Sequence, residues 1–459
     1  VADNPRADDL VGLLPAGAVL TEPAAMEAYR CDRASDTHTV MPLAVVLAES
    51  TADVQVAVRW AAQHGVPIVP RGAGTGLSGG ATTVAGCIVI TTERMRAVQV
   101  DADTRTVVVQ PGLLNAELKA EVARHGLWYP PDPASFQICS IGGNVATNAG
   151  GLCCVKYGVT ADYVLGLEVV LADGRAVRFG GALIKDVAGL PMVKLFVGSE
   201  GTLGIITEIT LRLLPAQPAH RTVAAWFDSP AQAAAAVAEI ATGIRPSMLE
   251  YMDRLSVNAV EDHLGLGLDR DAAAFLLAGV DELDPHGRDL ARIIEVCAAH
   301  GARSAAEVEP PRAAELEAGR RAAIPAVEER GRVLLEDVGV PIPLLGELIA
   351  GIEAISRAND VEVAFFAHAG DGNSHPLVVF DNEDRDQQTR AERAYGEIMT
   401  LAIRLGGTIT GEHGVGRLKR PWLRSQIGDD ALEVERRIKT ALDPAGILNP
   451  GTIFKETQE

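Results

Sequence analysis

Two short stretches in the second half of the chain concentrate residues able to do chemistry: FFAHAGDGNSHPLVVFD at 365–381 and GGTITGEHGVGRLKRPWL at 406–423. Two imidazoles and one carboxylate with open positions form a common catalytic set for Zn²⁺ or another divalent first-row ion. His368, His375 and Glu412 offer that set. Glu412 and His413 are adjacent, so an extended backbone sends their side chains in different directions, one to ligate and the other to move a proton. A lone histidine is more often a hydrogen-bonded structural residue than a ligand. Here three of the ten histidines fall in two short glycine-flanked motifs, which favours a metal–base site.

A third stretch, RGAGTGLSGG at 71–80, contains a literal G-x-G-x-x-G at Gly74, Gly76 and Gly79, directly after the apolar run VPIVP. A dinucleotide fingerprint needs a helix after the glycine turn. ATTVAG and then CIVITT follow instead, and their β-branched residues argue for a second strand. No GK[ST] follows either, so the P-loop is excluded. What remains is a loop whose backbone amides can approach a phosphate closely between two strands.

The elements that must position these residues can be read from periodicity. Residues 45–110 alternate short apolar runs (VVLAES, VPIVP, CIVITT, RTVVVQPG) with one helical stretch, ADVQVAVRWAAQHG, which reads as a small α/β unit. From 111 to 215 come a helical stretch (LLNAELKAEVARHG), a glycine-rich segment, a hairpin with a DG turn (VLGLEVVLADGRAVRF) and the strand GIITEITLRLLP. After AQPAH at 216–220, alanine-rich helices (SPAQAAAAVAEIATG, RDLARIIEVCAAHG) alternate with the strands AAFLLAGVD and VEVAFFAH, a pattern suited to a separate α+β domain. Residues 306–333, rich in charge and proline, read as a partly helical connection bordering the site. In the first catalytic stretch a strand ends at His368, GDGN supplies the turn and HPLVVF returns, so both histidines can face one point.

A second glycine segment, PPDPASFQICSIGGNVATNAGGLCCVKYG at 130–158, taken with RGAGTGLSGG and VGSEGTLGIITEITLRLLP, resembles the FAD-binding domain of the vanillyl-alcohol oxidase, or PCMH-type, flavoproteins. The likeness runs from about residue 38 to 218 in order and spacing. It implies FAD contacts from Arg71, Gly72, Gly74, Thr75, Gly76 and Gly79. A second group is Pro131, Asp132, Ser135, Gly142, Gly143, Asn144, Thr147, Gly150 and Gly151, and a third is Glu200, Gly201, Gly204 and Ile206. Members that attach flavin covalently often carry His at the position of Thr75, so the resemblance implies noncovalent FAD. HxGDGNxH and GEHG are in turn similar to the C-terminal domain of the FAD-linked oxidases, a group of D-lactate dehydrogenases, D-2-hydroxyglutarate dehydrogenases and glycolate oxidase D subunits.

The fold this implies is α+β, with a PCMH-type FAD-binding domain of two α/β subdomains over 1–218. An α+β substrate-binding cap with the metal and catalytic motifs spans 219–420, and a C-terminal segment, 421–459, packs back on the FAD domain. The activity implied is oxidation of a D-2-hydroxyacid to the 2-oxoacid. A metal, zinc foremost, held by His368, His375 and Glu412 would lower the hydroxyl pKa. His413 would take the proton while hydride passes to flavin N5. AGRRAAIPAV places Arg320 where related enzymes carry an arginine for the substrate carboxylate. Leu335 stands just before the D-x-x-x-P stretch, where the 2-hydroxyglutarate enzymes carry a lysine, which favours D-lactate or glycolate. D-2-hydroxyglutarate dehydrogenase, an O₂-using oxidase and a flavin-bearing subunit of a larger oxidase complex stay open as alternatives.

Composition narrows the rest. The 459 residues, 47% hydrophobic and 22% charged, suffice for two or three domains. A formal charge of −20 opposes binding to a nucleic-acid backbone. Six cysteines at 31, 87, 139, 153, 154 and 297 contain no C-x-x-C pair and no zinc or iron–sulfur spacing. Electrons from a reduced flavin would then leave to a separate acceptor: a quinone, a cytochrome or an electron-transferring flavoprotein. No run of 18 apolar residues exists, and VADNPRADDL has neither the basic nor the apolar region of a signal peptide. The expectation is a cytoplasmic protein, with peripheral membrane association and a homodimer left open.

Overall fold

The computed structural model describes residues 5–34, 39–281 and 287–455. His38, where the family likeness begins, and the outermost ends of the expected first domain and C-terminal segment lie outside them. The chain forms two compact units. One comprises residues up to Gly150, Val159–Gln217 and the chain from Glu412 onward, and the other Gly151–Gly158 and Pro218–Gly411. The second division falls at 411/412, inside the GEHG motif, whereas the sequence-based boundary lies at 420.

In the first unit, strands Ala44–Leu47 and Ile68–Arg71 flank Ile88–Thr91 in parallel, with Val19–Leu20 at the far edge. The helix Thr51–His64 makes the crossover. It starts at a capping box between Ser50 and Asp53 and stops at Gly65, whose φ of 62° suits a residue without Cβ. The glycine loop therefore leaves one parallel strand and, through CIVITT, returns as another. A second, antiparallel sheet has the order Val98–Asp101, Thr106–Val109, Ile205–Arg212, Val164–Val170, Ala176–Gly180. Its last two strands are the expected DG hairpin, turning at Gly174 with φ 77°. The chain after 412 adds the helices Arg420–Ile427 and Asp429–Leu442. Ile438 and Leu442 pack on the core of the antiparallel sheet, and Ile447 and Leu448 enter that of the parallel one.

The second unit is built on a sheet of antiparallel pairs in the order Ala302–Val308, His220–Phe227, Ala274–Asp281, Met248–Asp253, Glu362–His368, Asn373–Phe380, Arg332–Leu335, with Val338–Gly339 also paired to Asn373–Phe380. One face carries Met248, Met252, Leu277, Phe366 and Leu377, packed with Val257, Val260, Leu316 and Ala323 from the helices Arg254–Leu264, Pro310–Arg321 and Ala323–Glu328. The expected partly helical connection at 306–333 thus supplies two of the helices that cover the sheet. Among the described residues no helix is long and apolar enough to cross a membrane.

Candidate active site

In the second unit the hairpin of Glu362–His368 and Asn373–Phe380 turns through Gly372, whose φ is 83°. The amides of Asp371 and Gly372 donate to the His368 carbonyl and close the turn. Phe366 faces His375 across the hairpin, and His368 lies two residues beyond Phe366. The two-residue period of a strand then puts both imidazoles on one face. Their ring centroids are 5.2 Å apart and nearly perpendicular.

Register also brings in a residue that the sequence motifs do not reveal. Glu250 is the direct partner of His368 on the neighbouring strand, and both its oxygens lie 2.9 Å from His368 Nδ1. Its Oε2 also lies 2.8 Å from Nη2 of Arg320. Arg320, in the last turn of Pro310–Arg321, is 3% exposed and sits with its guanidinium 4.5 Å from the centroid of the Phe366 ring. The signal for Glu250 was a carboxylate interrupting the apolar strand MLEYM. A buried charge of that kind needs partners.

His375 Nδ1 lies 3.9 Å from Asp337, which is fully buried. Asp337 Oδ2 accepts from Thr410 Oγ1 at 2.7 Å and from the Gly411 amide at 3.0 Å. Gly411 allows this approach because a Cβ there would lie 2.2 Å from Asn373 Oδ1. An imidazole whose Nδ1 is engaged by a carboxylate presents Nε2 to a metal in the manner common to histidine ligands. His368 has that arrangement at 2.9 Å, and its ring and that of His375, set on one face, fit a cation of the zinc type.

In the first unit, Glu412 and His413 begin the segment that packs on the glycine loop. Ser78 Oγ donates to the carbonyls of His413 and Gly414 at 3.2 and 2.8 Å. The Ser78 carbonyl accepts from the amides of Arg417 and Leu418, and a Cβ on Gly416 would lie 1.9 Å from that oxygen. Glu200 secures the same segment, accepting from the amides of Val415 and Gly416 at 2.7 and 2.8 Å. Burial raises its carboxyl to about 7, against the pull of those two amides. Asn449 Nδ2 bridges the carbonyls of Gly80 and Glu200.

The glycine loop fits an anionic cofactor. Ser140 Oγ accepts from Ala73 and Gly143, joining the loop to the start of the helix Ile141–Thr147. Among the described residues the amides of Gly74, Thr75, Gly76, Leu77 and Gly79 donate to no protein acceptor. Such a run of backbone donors suits a pyrophosphate. A Cβ at Gly74 would lie 2.0 Å from Arg71 Nη2, and one at Gly72 2.5 Å from Ser140 Oγ.

Other residues expected at the cofactor take supporting places. Arg71 donates to the carbonyls of Cys31 and Ala28. Asn144 bonds Asn115 and Cys139, Pro131 accepts from Asn115, and the amides of Ile138 and Cys139 donate to the Ser135 carbonyl. Thr147 Oγ1 returns to Gly143, and Gly142 packs where a Cβ would lie 2.4 Å from Pro111. Gly201, with φ 72°, lies against Pro70, Gly204 against Val169, and Ile206 is a buried strand residue. Asp132 is partly buried, Gly150 is buried, and Gly151 falls in the second unit.

The model of the FAD binding domain matches residues 42–180, and that of the C-terminal domain of FAD linked oxidases matches residues 216–453. The chain therefore belongs to the FAD-linked oxidases: it is a flavoprotein oxidoreductase that binds FAD. It is 40% identical over 426 residues to glycolate oxidase subunit GlcD of Bacillus subtilis, covering 92% of this chain and 91% of that protein. It is 34% identical over 421 residues to a D-lactate dehydrogenase of Archaeoglobus fulgidus, covering 90% and 91%. The structure of 4-ethylphenol oxidase from Gulosibacter chungangensis superposes with a TM-score of 0.77 at 20% identity, over 98% of this chain and 96% of that one, and shares the fold.

Proposed function

We propose that the protein oxidises a short D-2-hydroxyacid of the lactate or glycolate type to the 2-oxoacid, with noncovalent FAD and a divalent cation, zinc foremost. When bound, FAD supplies the two-electron acceptor and the cation a Lewis acid that polarises the substrate hydroxyl and carboxylate. His368, His375 and Glu412 would hold the cation. His413 takes the hydroxyl proton, and its backbone is fixed by Ser78 to the loop that cradles the flavin phosphates. Arg320 offers a guanidinium for the substrate carboxylate, and His413 and Arg320 are the residues to which we assign catalysis. The observation that carries this reading is the shared face of His368 and His375 with Glu250 on the Nδ1 of one of them. It accords with relatives named for glycolate oxidation and D-lactate dehydrogenation.

Leu335 belongs to an apolar cluster and pairs with Leu377, a setting that disfavours the distal carboxylate of 2-hydroxyglutarate. None of the six cysteines forms a disulfide, and none has the spacing of an iron–sulfur site, so the electrons leave to a separate acceptor. The test is anaerobic bleaching of the visible flavin absorbance by a panel of D- and L-2-hydroxyacids, with and without a chelator. Bleaching by D-lactate or glycolate that the chelator abolishes is expected. Protein that carries FAD but is bleached by no hydroxyacid sinks the proposal.

A further inference from the structure

We propose that Glu250 is a positioning residue shared by the cation site and the carboxylate site, fixing the tautomer and aim of His368 while holding Arg320 beside it. The inference rests on the functional reading above and deepens it. Three observations in the second unit converge. Both Glu250 oxygens lie 2.9 Å from His368 Nδ1. In the neutral imidazole an Nδ1 that donates to a carboxylate carries the ring's one proton, so Nε2 keeps its lone pair. Glu250 Oε2 is also 2.8 Å from Arg320 Nη2, and the three side chains are almost completely buried. Phe366 lies beneath Arg320 and beside the second histidine: the guanidinium stacks on its ring, and His375 lies against it.

The chemical consequence is that one carboxylate sets two recognition elements at once. Arg320 balances the Glu250 charge in a buried setting, so the arginine is held in one orientation and does not sweep the site as a surface side chain would. His368 is held with its metal-facing nitrogen unprotonated, and losing such a partner costs about 10- to 100-fold in metal affinity. The cation and the substrate carboxylate are therefore presented in fixed register by a residue that touches neither.

The experiment uses the FAD-loaded protein and its E250Q variant, which keeps the side-chain volume but can no longer pair with both partners as an anion. Zn²⁺ affinity, measured by competition with a chromogenic chelator, is expected to fall about 10- to 100-fold in E250Q, and KM for the hydroxyacid to rise. H375A, which removes a ligand outright, is the positive control. Because E250Q removes a buried charge that faces Arg320 and can fail to fold, a second measurement is made on the unmutated protein. In metal-free ¹⁵N-histidine spectra, the His368 resonances, assigned by their loss in H368Q, should show a protonated Nδ1 and an unprotonated Nε2. An Nε2-protonated His368 overturns the proposal. So does E250Q with unchanged Zn²⁺ affinity while H375A loses it, and that result leaves the functional reading intact. Protein that takes up no cation at all overturns both.

Discussion

Glu200 gives the most quantitative prediction. Its buried carboxyl is raised from 4.5 to about 7, chiefly by desolvation, with the amides of Val415 and Gly416 and the charge of Lys419 opposing and Asp32 adding to the rise. An acid whose pKa is higher in the folded than in the unfolded chain binds its proton more tightly when folded. Its contribution to stability is thus full below 4.5 and is lost as pH rises through about 7. Each pKa unit is worth about 1.4 kcal/mol, so the whole interval amounts to about 3 kcal/mol. Glu200→Gln carries no such titration. With FAD at a fixed excess, denaturant unfolding at about pH 5 and about pH 8 should show the unmutated protein losing about 2 to 3 kcal/mol more than the variant. Other groups titrate in both proteins and cancel in the difference. Parallel losses would refute the reasoning and mean that Glu200 is solvated or ionised throughout this range.

Gly74→Ala introduces a Cβ at a φ of 75° and 2.0 Å from Arg71 Nη2, so FAD affinity should fall at least about tenfold, read as flavin retained per chain after gel filtration. His413→Ala should keep its FAD, because Ser78 holds the backbone of that residue and not its ring. Stopped-flow reduction of its flavin by the hydroxyacid should be slower by at least about 100-fold. Thr75 at the flavin loop predicts that acid or heat denaturation releases all the flavin into the supernatant, and fluorescence remaining on the denatured chain would contradict this.

Much of the site was legible because its signals are local. HxGDGNxH announces a hairpin, and the hairpin register alone puts His368 and His375 on one face. The strand after the glycine loop could be read from CIVITT, and with it the absence of a dinucleotide-type helix. Glu250 was not legible, since its role comes from pairing across strands 118 residues apart in sequence, which no motif records. Glu200 was read through its glycine-rich neighbourhood as a flavin contact, whereas its oxygens hold the amides that follow GEHG. The helix Ile141–Thr147 was hidden by two glycines within it. Ser140 starts that helix by capping Gly143, and the glycines serve close packing against Pro111 and Ser140. Arg320 was expected from its position in the family, but its commitment to a buried carboxylate depends on a helix and a strand meeting in three dimensions.

The first unit is not continuous in sequence: the 194 residues from Pro218 to Gly411 are inserted before its last portion begins at Glu412. During synthesis the flavin-binding half emerges first and waits for the entire second unit. Only then can Leu448 bridge to Ile68 and the Ile68 amide find the Ile447 carbonyl. Cofactor uptake should consequently be a late event in biogenesis, and a nascent chain halted near residue 411 should already have its histidine hairpin while its flavin cradle is unfinished.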